Sequence, residues 1–123
     1  MRIELELPPD LGFARISAEA LAQVLENLLD NARQHAGPAV AVRMAGSLRD
    51  GVVELTVSDD GPGISAGDVG RVFTPFFTTA RERGGSGLGL PIVRALLEAH
   101  RATIALDGPG PGARFTLRLP AAR

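Results

Sequence analysis

The stretch QVLENLLDNARQH, residues 23–35, sets Val24, Leu25, Leu28, Leu29 and Ala32 at the spacing of one helix face. Leu21 opens that stripe, Ser17 ahead of it is a good N-cap, and Gly37-Pro38 supplies the stop. A helix between Ser17 and Gly37 is the anchor for everything else. Upstream, Ile3, Leu5 and Leu7 alternate with Glu4 and Glu6 until Pro8-Pro9, the pattern of a half-buried strand. Downstream, Val40, Val42 and Met44 alternate, residues 47–51 are expected to turn, and Val53, Leu55 and Val57 alternate again, so a hairpin follows the helix. Residues 59–87 hold nine glycines and prolines between short apolar pieces, which predicts a long functional loop. A second helix is expected from Leu88 to about His100, with Ile92, Leu96 and Ala99 on one side and Pro91 tolerated in its first turn. Ala102, Ile104 and Leu106, then Phe115, Leu117 and Leu119, close the chain as two strands around a Gly-Pro turn.

This order lacks the regular strand-helix alternation of a doubly wound parallel sheet. It favours an α+β fold, a two-layer α/β sandwich with one mixed sheet and its helices on one face. The chain has 123 residues, enough for one core, and 1–123 is read as a single domain. A hydrophobic share of 45% with 22% charged residues is that of a folded chain. Net charge is -1 and the arginines are scattered, so no basic stripe recommends nucleic acid as a partner. No apolar run reaches the roughly 20 residues of a bilayer span, and no membrane contact by these residues is expected. The absence of cysteine removes disulfides, thiol catalysis and thiolate-bound zinc. A chain that begins directly on a strand, with no sensor or dimerisation helix ahead, reads as a module cut from something longer.

Three segments carry candidate chemistry. Asn27 and Asn31, four residues apart, lie on one helix face, and with Gln34 they border the leucine stripe. Asparagines there can simply bond neighbouring backbone; alternatively, an amide oxygen is a hard neutral ligand for magnesium and an amide nitrogen donates to phosphate. The second segment is DDGPGI, Asp59 to Ile64, at a strand end. Asp-Gly and Pro-Gly are ordinary turn chemistry, yet a carboxylate held there can also accept from the exocyclic amine of adenine while glycines admit a flat ligand. The third is GGSGLGL, Gly84 to Leu90, running into a helix whose first N–H groups and dipole favour an anion. No strand leads into it and no Gly-Lys-Ser/Thr occurs, which rules out the dinucleotide fingerprint and the P-loop and leaves a phosphate cradle or a plain hinge.

Taken in order and spacing, these segments resemble the ATP-binding module of histidine kinases, within the superfamily that includes gyrase, mismatch-repair ATPases and the heat-shock chaperones. The resemblance covers nearly the whole chain. The segment around Asn27 and Asn31 is similar to the N box, DDGPGI to the first glycine box, VFTPFF to the F box, and GGSGLGLPIV to the second glycine box. The F box and the short spacing to GSGLGL resemble histidine kinases specifically.

The resemblance implies a Bergerat-type ATP-binding fold with ATP and magnesium as cofactors. It makes Asn31 the magnesium ligand, Asn27 and His35 pocket residues, and Asp59 the reader of the adenine amine. Gly61, Gly63 and Ile64 shape that pocket, and Gly85, Ser86, Gly87, Leu88, Gly89 and Leu90 form the phosphate side. It also implies a lid from Arg71 to Ser86, with Phe73, Phe76 and Phe77 as the F box, although pattern alone would equally make those phenylalanines core. The implied partners are the dimerisation and histidine phosphotransfer domain of a parent sensor kinase and, indirectly, a response regulator, all in the cytoplasm. Neither His35 nor His100 resembles the phosphoacceptor, and no catalytic base is assigned. His100 reads as a helix-end residue favoured by the dipole. Gln34 stands where the N box usually carries Lys or Arg, a gap that Arg33, Arg81 or Arg83 would have to fill. Two alternatives remain: a nucleotide-binding scaffold without phosphotransfer, and an anti-sigma serine kinase.

Overall fold

The computed structural model describes residues 1–75, 88–108 and 111–122. Its elements run β1 (Arg2–Glu6), α1 (Ala18–Ala36), β2 (Ala41–Arg49), β3 (Val52–Asp59), a single 3-10 turn (Val69–Arg71), α2 (Gly89–Ala99), β4 (Thr103–Leu106) and β5 (Arg114–Pro120). The strands form one sheet in the order β1-β2-β3-β5-β4. β1 runs parallel to β2, and the other neighbours are antiparallel. The expected α+β architecture, a mixed sheet under two helices, is the one observed.

Register explains why the helices sit on one side. Val53 lies opposite Leu119, Leu55 opposite Leu117 and Val57 opposite Phe115, so these six side chains share a face. The same cluster holds Val24, Leu28 and Ala32 of α1 with Val93 and Leu97 of α2. On the reverse face Glu54 lies opposite Arg118 and bonds it at 3.2 Å, and Arg43 pairs with Glu6 across β1 and β2. Alternation thus separates an apolar layer from a solvated charged one.

Both helix ends follow local rules. Ser17 Oγ accepts from the Ala20 N–H at 3.1 Å, and Gly37, at φ 91°, ends α1 by donating its N–H to the Arg33 carbonyl. Pro91 is the third residue of α2, where its missing N–H costs nothing.

Three expectations need correction. The side of α2 read as apolar is not the buried one, because Leu90, Val93 and Leu97 face the core while Ile92 is 40% exposed and Ala99 is exposed. β1 forms as read, but all five of its residues are exposed, with Leu5 61% accessible. It is an edge strand, and the strand residues buried with the two helices come from β2, β3 and β5. The turn expected over residues 47–51 is shorter: β2 continues to Arg49, and only Asp50 (φ 54°) and Gly51 (φ 76°) turn the chain. Asp-Gly with both φ positive is the two-residue hairpin turn whose twist matches the strands, so Ser47 and Arg49 remain in the ladder.

Candidate functional site

β3 ends at Asp59, and the chain then folds back against two other elements. Asp59 Oδ1 accepts from the N–H of Gly61 at 2.9 Å and from the N–H of Ala113 at 3.2 Å. These two bonds anchor one carboxylate oxygen. Oδ2 has no hydrogen-bond partner among the described residues, and the residue is half-buried. Next along the chain, Asp60 Oδ1 accepts from Ala41 N–H at 2.9 Å while its own N–H donates to the Ala41 carbonyl, tying the loop to the start of β2.

The glycines here are demanded by close approach. A Cβ on Gly61 would come within 2.4 Å of the Ala36 Cβ, so the loop lies directly on the last turn of α1. Gly112, at φ 73°, donates its N–H to the Gly61 carbonyl at 2.8 Å, and a Cβ there would stand 2.2 Å from the Asp59 carbonyl oxygen. Gly63 is also left-handed, at φ 81°, and Ile64 packs on the core.

The contact of Gly61 with Ala36 sets the C-terminal end of α1 against the Asp59 loop. Asn31 precedes Ala36 by about 7.5 Å along the axis at 1.5 Å per residue, and Asn27 lies one turn further back. Both are half-buried beside the stripe of Val24, Leu28 and Ala32, and neither amide side chain bonds a described residue. The bland expectation that they bond neighbouring backbone therefore fails. Gln34 and His35 are half-buried and do have interactions. Arg33 does not supply the charge missing at Gln34, because its guanidinium is exposed and pairs with Asp30 on the outer side.

At the start of α2, Leu88 caps the helix without a side-chain hydrogen bond, Gly89 is its first residue and Leu90 is buried. A Cβ on Gly89 would meet nothing within 4 Å, so packing among the described residues does not require glycine there. The first turn carries no acidic residue, and the N–H groups of Gly89 and Leu90 are among those for which a helix supplies no partner of its own. Gly85, Ser86 and Gly87 lie outside the described residues, as do Phe76, Phe77, Arg81, Arg83 and most of the expected lid.

The pattern of a family model, "Histidine kinase-, DNA gyrase B-, and HSP90-like ATPase", matches residues 16–123. The chain belongs to this ATPase family. Within it, the relatives are sensor kinases. The alginate biosynthesis sensor protein KinB of Pseudomonas aeruginosa is 34% identical over 96% of this chain, and the probable sensor histidine kinase TcrY of Mycobacterium tuberculosis is 40% identical over 94%. The match covers 20% of the first and 25% of the second, so the chain spans about a fifth to a quarter of these relatives. Among solved structures, the catalytic domain of histidine kinase ThkA superposes with a TM-score of 0.81 at 29% identity, covering 97% of this chain and 78% of that one. Full-length ShkA in complex with AMPPNP gives 0.77 at 32% identity, covering 98% of this chain and 26% of that one. The chain is thus a histidine kinase catalytic and ATP-binding domain by homology. Among the described residues, no helix is long and apolar enough to cross a membrane.

Two features of this ATPase domain were missed or half-read in the sequence. Gly112 and Ala113 buttress Asp59, yet the Pro-Gly repeat around them reads only as a turn. Phe73 is half-buried: its ring meets Phe115 edge-on at 6.3 Å and lies 5.8 Å from the Arg94 guanidinium. Phe73 thus packs against the core cluster from a partly buried position, with the Arg94 cation over its ring.

Proposed function

We propose that this domain, residues 1–123, binds magnesium-ATP and presents the γ-phosphate to a histidine on a separate dimerisation domain of a two-component sensor kinase in the cytoplasm. The observation that carries the reading is the Asp59 carboxylate, with Oδ1 tied by two backbone N–H groups and Oδ2 left to accept. An exocyclic adenine amine is a donor of the right kind. Gly61, Gly63 and Ile64 flank it with backbone that can lie close to a flat base.

Leu88, Gly89 and Leu90 bring the N-terminus of α2, which favours phosphate by roughly 0.3–1 kcal/mol at an exposed site. Gly85, Ser86 and Gly87 precede them in sequence and extend the supply of backbone donors. Among the described residues no group of three or more His, Cys, Asp or Glu could hold a metal. Magnesium takes one or two protein oxygens and completes its shell with phosphate oxygens and water. The Asn31 amide oxygen is the candidate ligand, with Asn27 and His35 beside it, and the ion would supply charge neutralisation of the phosphates. Catalysis is then positioning and electrostatic stabilisation: the partner imidazole forms the nitrogen–phosphorus bond as the bond to ADP breaks. A response regulator would take the phosphoryl group afterwards.

A second reading, a nucleotide-binding scaffold without transfer, draws on Gln34 and on Arg33 being held by Asp30. The first test is titration of a fluorescent ATP analogue, with and without magnesium, into this domain and its Asp59→Asn variant. Saturable binding that ATP displaces, weakened at least tenfold in the variant, is expected; a tenfold loss corresponds to about 1.4 kcal/mol. No binding in any condition would sink the reading. Adding the dimerisation domain in trans then separates the two proposals, since phosphate on its histidine belongs only to the kinase.

A further inference from the structure

At the pole opposite Asp59 lies an open cleft of about 1020 Å³, the size of a ligand site rather than of a single oxyanion. Its floor is firmly built. Arg15 N–H donates to the Pro120 carbonyl at 2.7 Å, Ala122 N–H to the Phe13 carbonyl at 2.7 Å, and Ala121 N–H to the Gly51 carbonyl at 2.9 Å. Three chain segments that are distant in sequence are therefore held together under the cleft.

The cleft gathers two of the four described arginines that have no ion pair. Arg2, Arg33, Arg43, Arg94, Arg114 and Arg118 each pair with a carboxylate. Arg15 and Arg101 line the cleft, are exposed, and make no ion pair among the described residues. Arg49 and Arg71 are also unpaired, but neither lines it. Among the described lining residues Asp50 is the one carboxylate, against two guanidinium groups. His100 is fixed beside them through Nδ1, which lies 2.8 Å from the Leu96 carbonyl and therefore donates to it, leaving Nε2 as the other ring nitrogen.

A second, independent observation concerns the backbone. Arg101 sits at φ 60°, just past the end of α2, where Ala102 N–H closes on the Leu97 carbonyl at 2.8 Å. This is the left-handed helix-end position that glycine fills most cheaply. Here a strained residue places a guanidinium in the cleft, and such strain gathers at functional positions. Leu48, 47% exposed, and Pro120 give the same cleft an apolar wall.

The geometry points to a second site in this cleft, built for an acidic peptide segment of a partner protein. Its carboxylates would pair with Arg15 and Arg101 while an aliphatic neighbour packs on Leu48. Paired guanidinium–carboxylate bonds supply the recognition, and the apolar wall and the volume favour a peptide over free phosphate. The inference does not depend on nucleotide binding.

The test uses a fluorescein-labelled peptide alternating glutamate and leucine, its glutamine counterpart, and inorganic phosphate, with backbone amide shifts mapped by NMR. Arg101→Gly is the decisive variant, because glycine suits φ 60° and the fold is retained while the guanidinium is lost. Saturable binding of the acidic peptide is expected, with shifts around residues 13–15, 48–51 and 99–102. The glutamine peptide should bind at least fivefold more weakly, as should the acidic peptide to Arg101→Gly, with ATP-analogue binding unchanged. Equal binding of both peptides, an unaffected Arg101→Gly, shifts confined to the Asp59 end, or a response to phosphate alone would each overturn it.

Discussion

Gly112 lies directly against Asp59: its N–H reaches the Gly61 carbonyl, and a Cβ at position 112 would stand 2.2 Å from the Asp59 carbonyl oxygen. Gly112 is thereby part of the Asp59 end of the sheet, together with the next residue, Ala113, which donates to Asp59 Oδ1. Gly112→Ala meets two penalties, the positive φ of 73° and the clash with backbone that cannot move aside as a side chain could. A loss of about 1–3 kcal/mol in stability is expected, read by urea denaturation. Nucleotide affinity should fall with it, because the Asp59 carboxylate shifts; an alanine variant as stable and as tight-binding as the parent would show that the loop yields freely.

Gly61 and Ala36 make a pair that a double-mutant cycle can resolve. Gly61→Ala places a Cβ 2.4 Å from the Ala36 Cβ, and overpacking of this sort costs about 1–3 kcal/mol. Ala36→Gly removes the colliding atom at a helix end, where glycine is tolerated. The double variant should therefore recover part of the loss, giving a coupling of at least about 0.5 kcal/mol by denaturation. Simple additivity would mean that the loop does not bear on α1 at this point.

These contacts mark the limit of what was legible in the residue order. Helix α1 was readable because periodicity, cap and stop all agree, and Ser17 and Gly37 act as their residue types dictate. The sheet pattern of β3 and β5 was readable because alternation names the buried face. For β1 the same alternation named a face that no described residue buries, since the exposure of Ile3 and Leu5 is set by the sheet edge and not by their own pattern. Asp59 was legible as a turn carboxylate and, by resemblance, as a base reader. Its second anchor was not, because Ala113 is 54 residues away and a Pro-Gly repeat carries no sign of what it will lean on. Asn27 and Asn31 were legible as neighbours on a helix, whereas their lack of hydrogen bonds to described residues is a property of the assembled fold.

That last property separates magnesium from nucleotide. Asn31 is half-buried at the flank of α1, and its amide bonds no described residue, so Asn31→Ala leaves no described group unpaired and trades a modest helix former for the best one. Stability should rise or stay within about 0.5 kcal/mol. If the amide oxygen serves as the metal ligand, ATP-analogue affinity measured without magnesium will be nearly unchanged, while the gain on adding magnesium will shrink at least about tenfold, or 1.4 kcal/mol. Asp59→Asn should show the opposite split, with affinity lost in both conditions and the ratio between them preserved. A variant at Asn31 that lowers affinity equally with and without magnesium would instead make the amide a donor to phosphate, because a hydrogen bond to the nucleotide contributes whether or not the ion is present.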